Sequence, residues 1–335
     1  MAMNDQVQML LDNVKQFCEQ NIKDIALNIE RTRIPDKIFT ALREQGFIGA
    51  NLPSSSGGAD LDRASYDAIL LQIAEYSPSV AYYVYMNNSI ILPLLLKAGK
   101  KELAGDIISG KERVGLSAGN ILEGVGVKTT FQETAIFPSN FMISAGSDGS
   151  IVLLKGTFEE SGRKSLGLRG LGIGIKSFST EKTEEIGRKE DMEKIFVESS
   201  WEQAAIFLGL SQGAIEKAVE YTKVRKTFNF PLKDYSPVAF RLSELKSDLE
   251  MMKFYLFSED GDREKGMMLK TRAADFSRKA TKYALQYHGG YGYLEDFGVE
   301  KFYRDSVALN AVMFRTDVDR RILAESIYKS KTGYI

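Results

Sequence analysis

Apolar residues recur at helical spacing along the first third of the chain. In "NDQVQMLLDNVKQFCEQNI" the apolar positions that share one helical face are Val7, Leu10, Leu11, Val14 and Phe17. Pro35 opens and Gly46 closes a second helical run, "IPDKIFTALREQG". The stretch "NLPSSSGGADLD" predicts a loop, and helical patterns follow over residues 63–75 and 80–98. These patterns predict an N-terminal helical domain over residues 1–112.

The pattern changes near Gly110. From there to about Ser200 short β-prone runs alternate with glycine and polar clusters, in the order "GVGVKTTF", "TAIF", "NFMIS", "SIVLLKG", "IGIKSFST" and "KIFVES". This spacing is typical of an antiparallel sheet, so residues 113–200 are predicted to form a β-domain. The highly charged stretch "STEKTEEIGRKEDMEK" is expected to be a solvated loop.

Helical periodicity returns after Trp201 and continues to the end of the chain. The residues that share helical faces are Leu208, Ile215, Ala218 and Val219, then Leu242, Leu245, Leu249 and Met252, then Leu269, Ala273, Phe276 and Ala280. Long helices joined by short loops predict a C-terminal four-helix bundle over residues 201–335. The fold class is therefore mainly α with a middle β-domain. The order of helices, sheet and helices argues against a Rossmann fold, which needs alternating strands and helices.

Composition excludes several classes of function. The chain has 335 residues with 44 basic and 45 acidic side chains, so a one-sided charge for nucleic acid or a membrane surface is absent. Cys18 and His288 are the only cysteine and histidine, which excludes an intrachain disulfide, a thiolate metal cage and a multi-histidine metal site. The N-terminus lacks a signal-peptide pattern, and apolar stretches such as "SIILPLLLKAG" fall short of the roughly 20 residues of a membrane span. We expect a cytoplasmic protein.

Three long motifs resemble segments of one enzyme family. They are "FTALREQGFIGANLPSSSGGADLD", "YTKVRKTFNFPLKDY" and "QYHGGYGYLEDFGVEKFYRD". In this order they resemble the acyl-CoA dehydrogenase family, nearly end to end from about Leu10 to Lys329. The resemblance implies FAD-dependent oxidation of an acyl-CoA thioester at its α and β carbons, a reaction of fatty acid metabolism. In that family a carboxylate removes the α proton while FAD takes the β hydride, and each FAD lies between two subunits of a dimer or tetramer.

Arg225, Thr227 and Phe228 match family positions that hold the FAD pyrophosphate and adenine side across the subunit interface. The guanidinium suits phosphate oxygens and the threonine hydroxyl adds a donor. The alternative is a plain helix C-terminus, where cations such as those of "KVRK" are favoured by the helix dipole. Asn229 stands where the family usually has glycine, and asparagine tolerates the left-handed backbone that such a turn needs.

Gln286, Gly289 and Gly290 match the segment whose backbone approaches the FAD of the neighbouring subunit. Paired glycines permit both close approach and positive φ, although a simple turn between helices would also use them. His288 lies inside this segment, and we expect a structural hydrogen bond from it rather than acid–base chemistry.

The β-domain departs further from the family pattern. "NFMISAG" resembles a family strand in which an aromatic residue covers the flavin and a threonine bonds N5, and those positions are Met142 and Ser144 here. The alternative is an ordinary strand. A family tripeptide, Thr-Glu-Pro, is missing from "GLSAGNILEGVGVKTT", and the domain is shorter by several tens of residues. The turn at residues 166–170, "LGLRG", still resembles the family's Leu-Gly-x-Arg-Gly turn.

Neither family position for the catalytic carboxylate holds one. Counting eight residues on from Asp305, the usual glutamate falls at Met313, and the Gly-Thr that follows it becomes Phe314 and Arg315. Some members place the base at the start of the first bundle helix, which is Ser199 here, followed by Ser200 instead of arginine. A thioether cannot accept the α proton, and a positioned base is typically worth 10²–10⁴-fold in rate.

One carboxylate remains as a weak candidate for the base. Glu202 follows Ser199 by nearly one helical turn, and a desolvated glutamate there would have a raised pKa. The alternative is a glutamate favoured by the dipole at a helix N-terminus. Asp317 and Asp319 are expected to be exposed partners of the neighbouring arginines, Arg320 and Arg321.

Three functions stay open at this level. The first is FAD-dependent oxidation of an acyl thioester with an unusual base. The second is a degenerate family member that acts as a scaffold or as the partner of a related subunit in a heteromer. The third is another flavin-dependent reaction on the same fold, such as oxygen activation. In each case we expect a homodimer or homotetramer, or a heteromer with a related subunit.

Overall fold

The fold consists of N-terminal helices, a small sheet and a C-terminal helical bundle. The computed structural model describes residues 5–116, 139–145, 148–160, 165–172, 175–258 and 261–329. The N-terminal helices are α1 (Asp5–Asn21), α2 (Ala26–Arg31), α3 (Asp36–Glu44), α4 (Arg63–Tyr76), α5 (Pro78–Tyr85), α6 (Leu92–Lys97) and α7 (Lys101–Ser109). The predicted fold class is confirmed, and the loop predicted between α3 and α4 contains one short 3₁₀ turn, Ser54–Ser56.

Helices α5 and α6 are joined by a π-helical turn, Met86–Ile91, into one continuous run. Ser77 caps the start of this run by accepting a hydrogen bond from the Val80 N–H, and Pro78 occupies its first turn. The run from Pro78 to Lys97 has the length and the apolar composition of a helix that could cross a membrane. Because 89% of its most apolar window is buried inside the fold, it has the burial of a core helix.

The sheet has four strands in the order of the sequence. They are β1 (Val114–Leu116), β2 (Phe141–Ala145), β3 (Ser150–Glu160) and β4 (Ile175–Arg188). The pairs β2–β3 and β3–β4 are antiparallel as predicted, whereas β1 lies parallel to β2. A parallel neighbour needs a long connection, and the chain between β1 and β2 is long enough to return to the same end of the sheet. The predicted strands "GVGVKTTF" and "TAIF" lie outside the described residues.

The charged stretch at residues 179–194 is ordered, so the prediction of a solvated loop is wrong. Its first half belongs to β4, and its second half begins helix α8 (Lys189–Glu198). The Asp191 carboxylate accepts a hydrogen bond from the Arg188 N–H at 2.8 Å and so caps the new helix. Lys97 pairs with Asp191 and Lys100 with Glu184, which ties the charges to the N-terminal helices. The predicted strand "KIFVES" lies almost wholly in α8.

The C-terminal bundle is built around one central helix. Its elements are α9 (Ser200–Val224), α10 (Ser236–Ser258), α11 (Arg263–His288), α12 (Glu300–Ala308) and α13 (Thr316–Tyr328), with a π turn, Leu309–Met313, after α12. Helix α9 packs on α11 on one side and on α4 of the N-terminal domain on the other. Gly209 and Gly213 allow the close approach to α4, since a Cβ at either would overlap the carbonyl oxygen of Leu71 or Glu75.

The bundle is also tied to the turn at residues 165–172 of the middle domain. The Leu168 N–H donates to the Asp305 carboxylate at 2.7 Å, and the Arg304 guanidinium donates to the Leu166 carbonyl at 2.9 Å. A Cβ at Gly167 would overlap the carbonyl oxygen of Arg304. Two of the motifs that the sequence singled out, "LGLRG" and the "YRD" of α12, are therefore in direct contact with each other.

Candidate functional site

The two C-terminal motifs meet in one surface cleft. The cleft has a volume of about 370 Å³ and is lined by Tyr221, Arg225, Thr227, Leu232, Tyr287, His288, Gly289, Gly290, Tyr291 and Leu294. Four of the residues predicted to contact a cofactor are in this lining. Gln286 is exposed and is not among the lining residues.

A tight hairpin shapes one side of the cleft. Lys226–Thr227 pairs with Phe230–Pro231, and the turn residues Phe228 and Asn229 both have positive φ, at 48° and 68°. The left-handed backbone predicted at Asn229 is confirmed, and Phe228 shares it. The Tyr235 hydroxyl donates to the Thr227 carbonyl and holds the hairpin in place. As a result Phe228 projects from the tip, with 87% of its surface exposed.

The glycine pair forms the opposite side. Gly289 has φ 58° and ψ −137°, a conformation that glycine adopts far more readily than other residues. A Cβ at Gly289 or Gly290 would meet no atom within 4 Å, so both face open space. The Arg225 guanidinium lies 5.8 Å from the centre of the Tyr291 ring and connects the two sides. A cation, a hydroxyl and bare backbone are the groups that hold a phosphate chain.

His288 has a structural role in this cleft. Its Nδ1 lies 2.8 Å from the Ala284 carbonyl oxygen, and its ring stacks on Tyr221 at 4.2 Å. Burial lowers the pKa of His288, so the imidazole is neutral near pH 7. This arrangement is the structural hydrogen bond that the sequence favoured.

The strand residues predicted to touch a flavin ring lie elsewhere. Met142 and Ser144 share one face of β2, Met142 is 1% exposed, and Ser144 is half-buried. The Met142 side chain packs against Gly115 of β1. A Cβ added at Gly115 would lie only 3.0 Å from the Met142 Cε. Most of "GLSAGNILEGVGVKTT" lies outside the described residues. Of the two predicted strand residues, Ser144 is therefore the more accessible one.

Ser199, one position predicted for a catalytic carboxylate, and Phe314, which follows the other at Met313, both contact a side chain that the sequence did not single out. The Ser199 hydroxyl lies 2.8 Å from the Tyr85 hydroxyl, and Gln203 donates to both. On the other side, the Phe314 ring lies 5.3 Å from the Tyr85 ring, edge to face. Ser200 donates to the Val197 carbonyl at 2.7 Å. Only folding could reveal this convergence, because the three residues are far apart in the sequence.

The backbone after the π turn differs from what the sequence count predicts. Met313 ends that turn, and its side chain lies outside the described set. The count places the family's glycine at Phe314, which has φ −107°, whereas the positive φ that suits glycine, 40°, is at Arg315. Neither Met313 nor Phe314 carries a carboxylate.

A second cavity adjoins Phe314. It has a volume of about 250 Å³ and is lined by Glu190, Glu193, Lys194, Phe196, Val197, Arg263, Lys270, Phe314, Arg315, Val318, Asp319, Arg321 and Ile322. Its lining combines apolar side chains with an excess of cations over carboxylates. The cavity therefore suits a ligand that has an apolar part and an anionic part.

The prediction of exposed aspartates in α13 is wrong for Asp319. Its carboxylate is buried and pairs with the equally buried Lys270 at 2.6 Å. Burial raises the pKa of Asp319 and lowers that of Lys270, and each charge opposes the shift of the other. Asp317 is exposed as expected, but its partner is Arg315 at 2.8 Å. Arg320 pairs instead with Asp275 of α11.

Glu202 is buried away from that cavity. Its Oε2 is buried and has no hydrogen-bond partner among the described residues, and burial raises the pKa of Glu202 to about 7. The neighbouring Asp67 pairs with Arg63 at 2.6 Å, and burial, reinforced by the Glu202 charge, raises the pKa of Asp67. Glu202 is not among the residues that line the cavity beside Phe314. Its pKa would suit a base, but its position beside α4 is that of a buried structural carboxyl.

Comparisons with known proteins agree with these observations. The 3-(aryl)acrylate reductase of Clostridium sporogenes is 24% identical, with 98% of this chain and 100% of that protein covered. The alignment spans 387 positions against the 335 residues of this chain, so several tens of positions fall opposite gaps in this chain. The caffeyl-CoA reductase-Etf complex subunit CarC of Acetobacterium woodii is also 24% identical, over 98% of this chain and all of that protein.

A solved glutaryl-CoA dehydrogenase from Mycobacterium smegmatis, in complex with FADH2, has the same fold. Its TM-score is 0.83 at 12% identity, and the match covers 99% of this chain and 96% of that chain. Residues 4–109 match the sequence model described as "Acyl-CoA dehydrogenase, N-terminal domain", and residues 190–328 match the one described as "Acyl-CoA dehydrogenase, C-terminal domain". Since these two matches cover most of the sequence, the chain belongs to the acyl-CoA dehydrogenase family.

Proposed function

We propose that this chain binds FAD and an acyl thioester at a site that lacks the carboxylate for removing the α proton. The observation that carries this proposal is the convergence of Ser199 and Phe314 on Tyr85. Ser199 is one family position for the base, and Phe314 is the other if the positive φ of Arg315 marks the family's glycine. Neither side chain accepts a proton from carbon. Oxidation at the α and β carbons by this subunit alone is then slower by roughly 10²–10⁴-fold, the usual contribution of a positioned base.

The cleft between the hairpin and the glycine pair fits the phosphate chain of FAD. Arg225 and Thr227 would hold the phosphate oxygens, and the open backbone at Gly289 and Gly290 would let the chain approach closely. The exposed Phe228 and Gln286 would contact the cofactor where a second subunit packs against the cleft. Ser144 would face the flavin from the sheet. When bound, FAD supplies the hydride acceptor of the family's reaction.

The cavity beside Phe314 would take the acyl thioester. Its apolar residues Phe196, Val197 and Phe314 suit an acyl group, while Arg263 and Arg321 suit the phosphates of CoA. The Nε of Arg321 is buried and has no hydrogen-bond partner among the described residues, so this N–H can donate to a phosphate oxygen of the ligand.

Oligomerisation is supported by a broad exposed apolar surface on the hairpin and α10. Phe228, Phe230, Phe240, Met251 and Phe254 are each more than half exposed. A surface of this kind is typical of a subunit interface. A homodimer or homotetramer would cover it, and so would a heteromer in which a related subunit supplies the missing carboxylate. A scaffold role in such a heteromer is the second candidate function, and a flavin reaction that needs no carboxylate is the third.

The visible spectrum of the purified protein tests these functions directly. The spectrum is recorded before and after addition of FAD, and then under anaerobic conditions with a series of acyl-CoA thioesters. We expect a flavin band that bleaches slowly or not at all. Rapid bleaching by one acyl-CoA would show that a working base exists and would contradict the proposal. Absence of a flavin band after incubation with FAD and removal of the unbound FAD by gel filtration would leave only the scaffold role.

The missing base can also be restored. If Phe314 occupies the glutamate position, the double variant Phe314→Glu with Arg315→Gly should speed anaerobic bleaching by the same acyl-CoA. Met313→Glu is the matched comparison, because it places the carboxylate one residue earlier. Faster bleaching in Met313→Glu alone would contradict the one-residue shift.

A further inference from the structure

Phe314 separates the 250 Å³ cavity from the interior of the protein. It lines the cavity, yet only 1% of its surface is exposed. Behind it lie three more buried rings, with centroids 5.3 Å away for Tyr85, 5.4 Å for Phe207 and 5.8 Å for Tyr82. The four rings come from three elements, since Tyr82 and Tyr85 lie on α5, Phe207 on α9, and Phe314 follows the π turn. They form a continuous aromatic wall.

The wall is anchored by hydrogen bonds as well as by packing. The Tyr85 hydroxyl bonds both Ser199 and Gln203, and the Gln203 amide also donates to the Phe196 carbonyl at 2.8 Å. Moving the Tyr85 ring would break bonds between buried groups, which costs more than moving an exposed side chain. Phe314 therefore has a rigid support on its inner side.

We propose that Phe314, backed by Tyr82, Tyr85 and Phe207, limits how far an acyl chain enters and makes this a site for short acyl groups. This inference rests on the proposed binding of an acyl thioester. An acyl group that enters the cavity meets the Phe314 ring, and behind the ring the described residues leave no space for more carbons. A longer chain must either fold back or leave its end in water, so extra CH₂ groups add no affinity.

Calorimetric titration of the FAD-loaded protein with butyryl-, hexanoyl- and octanoyl-CoA tests the proposal. We expect the wild type to bind butyryl-CoA at least as tightly as octanoyl-CoA. Phe314→Ala frees the space that the ring fills, and affinity should then rise with chain length, by up to roughly fourfold for each CH₂ that becomes buried. Phe314→Leu should shift the preference in the same direction but less, and it guards against a failure of the alanine variant to fold.

Phe47→Ala is the matched control. Phe47 is also buried and packs edge to face on another ring, Phe17, at 5.1 Å, but it does not line the cavity. The Phe47→Ala variant should keep the chain-length preference of the wild type. An unchanged preference in both Phe314 variants, or tighter binding of octanoyl-CoA by the wild type, would overturn the inference while leaving the proposed function. If the wild type binds none of the three thioesters, both the inference about chain length and the proposed binding of an acyl thioester are wrong.

Discussion

The hydroxyl of Tyr85 lies 2.8 Å from the hydroxyl of Ser199 and joins two parts of the chain that are 114 residues apart. Ser199 is the position that the resemblance predicts for the catalytic carboxylate of some family members, and Tyr85 lies beside it. Burial raises the pKa of Tyr85 well above its ordinary value, and its hydroxyl therefore stays protonated. The contact belongs to a network of hydrogen bonds between the buried side chains of Tyr85, Ser199 and Gln203.

This network should contribute measurably to stability. Tyr85→Phe removes the hydrogen bonds that this hydroxyl makes with the buried Ser199 and Gln203, and we expect a loss of about 1–3 kcal/mol in the free energy of unfolding. Tyr82→Phe is the control, since the buried Tyr82 hydroxyl has no hydrogen-bond partner among the described residues. Its removal should be neutral or stabilising. Urea unfolding followed by circular dichroism measures both, and equal losses would contradict the network.

The contact between Gly167 and Arg304 should not tolerate a side chain. Gly167→Ala places a methyl group against the Arg304 carbonyl oxygen and should destabilise the protein by about 1–3 kcal/mol, as overpacking does. Gly105→Ala is the control, because a Cβ at this exposed helical position meets no atom within 4 Å. It should stabilise by about 0.5–1 kcal/mol. Thermal unfolding separates the two, and similar melting temperatures would disprove the close approach.

The buried pair of Lys270 and Asp319 should be far more sensitive than a surface pair. Asp319→Asn leaves the Lys270 charge buried without a counter-charge, and we expect a loss of about 3–5 kcal/mol. Asp317→Asn removes an exposed partner of Arg315 and should cost about 0–1 kcal/mol. Both carboxylates lie on α13, and Asp319 is buried whereas Asp317 is exposed. A cost for Asp317→Asn as large as that for Asp319→Asn would contradict this assignment.

Glu202 should make stability depend on pH. Its pKa is raised to about 7 in the folded protein, above the ordinary value of 4.5. Between these pH values the folded state keeps a proton that the unfolded state has lost, so the free energy of unfolding falls as pH rises. Glu202→Gln removes this contribution and should raise stability at pH 8 by on the order of 2 kcal/mol relative to the wild type. The measurement is urea unfolding at pH 5 and pH 8.

The control for this pH dependence is Glu198→Gln. Glu198 is exposed and lies only 3.7 Å from Lys194 across one helical turn. Its substitution should leave the difference between pH 5 and pH 8 as in the wild type. If Glu202→Gln also leaves that difference unchanged, the Glu202 carboxyl is ionised in the folded protein.

Arg225 should contribute to FAD affinity. Arg225→Gln removes the cation from the cleft, and a charged hydrogen bond of about 1.5–3 kcal/mol corresponds to roughly a tenfold to hundredfold weaker affinity. Lys223→Gln is the control, since Lys223 pairs with Glu220 and does not line the cleft. Quenching of FAD fluorescence measures the dissociation constants, with sedimentation to verify that both variants keep the oligomeric state. Equal weakening would exclude a specific role for Arg225.

The helical domains could be predicted from the sequence because their determinants are local. Periodic apolar residues and boundary residues such as Pro35 and Gly46 predict helices without knowledge of partners, and α3 lies between those two residues. The charged stretch at residues 179–194 was misjudged for the opposite reason. Its strand is held by pairing with β3 and its charges by Lys97 and Lys100, which are contacts made at long range.

The sequence by itself determined the family motifs, and from them it predicted FAD contacts in a basic and a glycine-rich segment and no carboxylate at the predicted base positions. Only the tertiary structure decided that these two segments meet in one cleft and which side chains surround Tyr85. Tyr85, Ser199 and Phe314 come together because α5, α9 and the end of the π turn pack around one core. Hydrogen bonds and ring contacts act over a few ångströms in space, whereas the residues that make them lie more than a hundred positions apart along the chain.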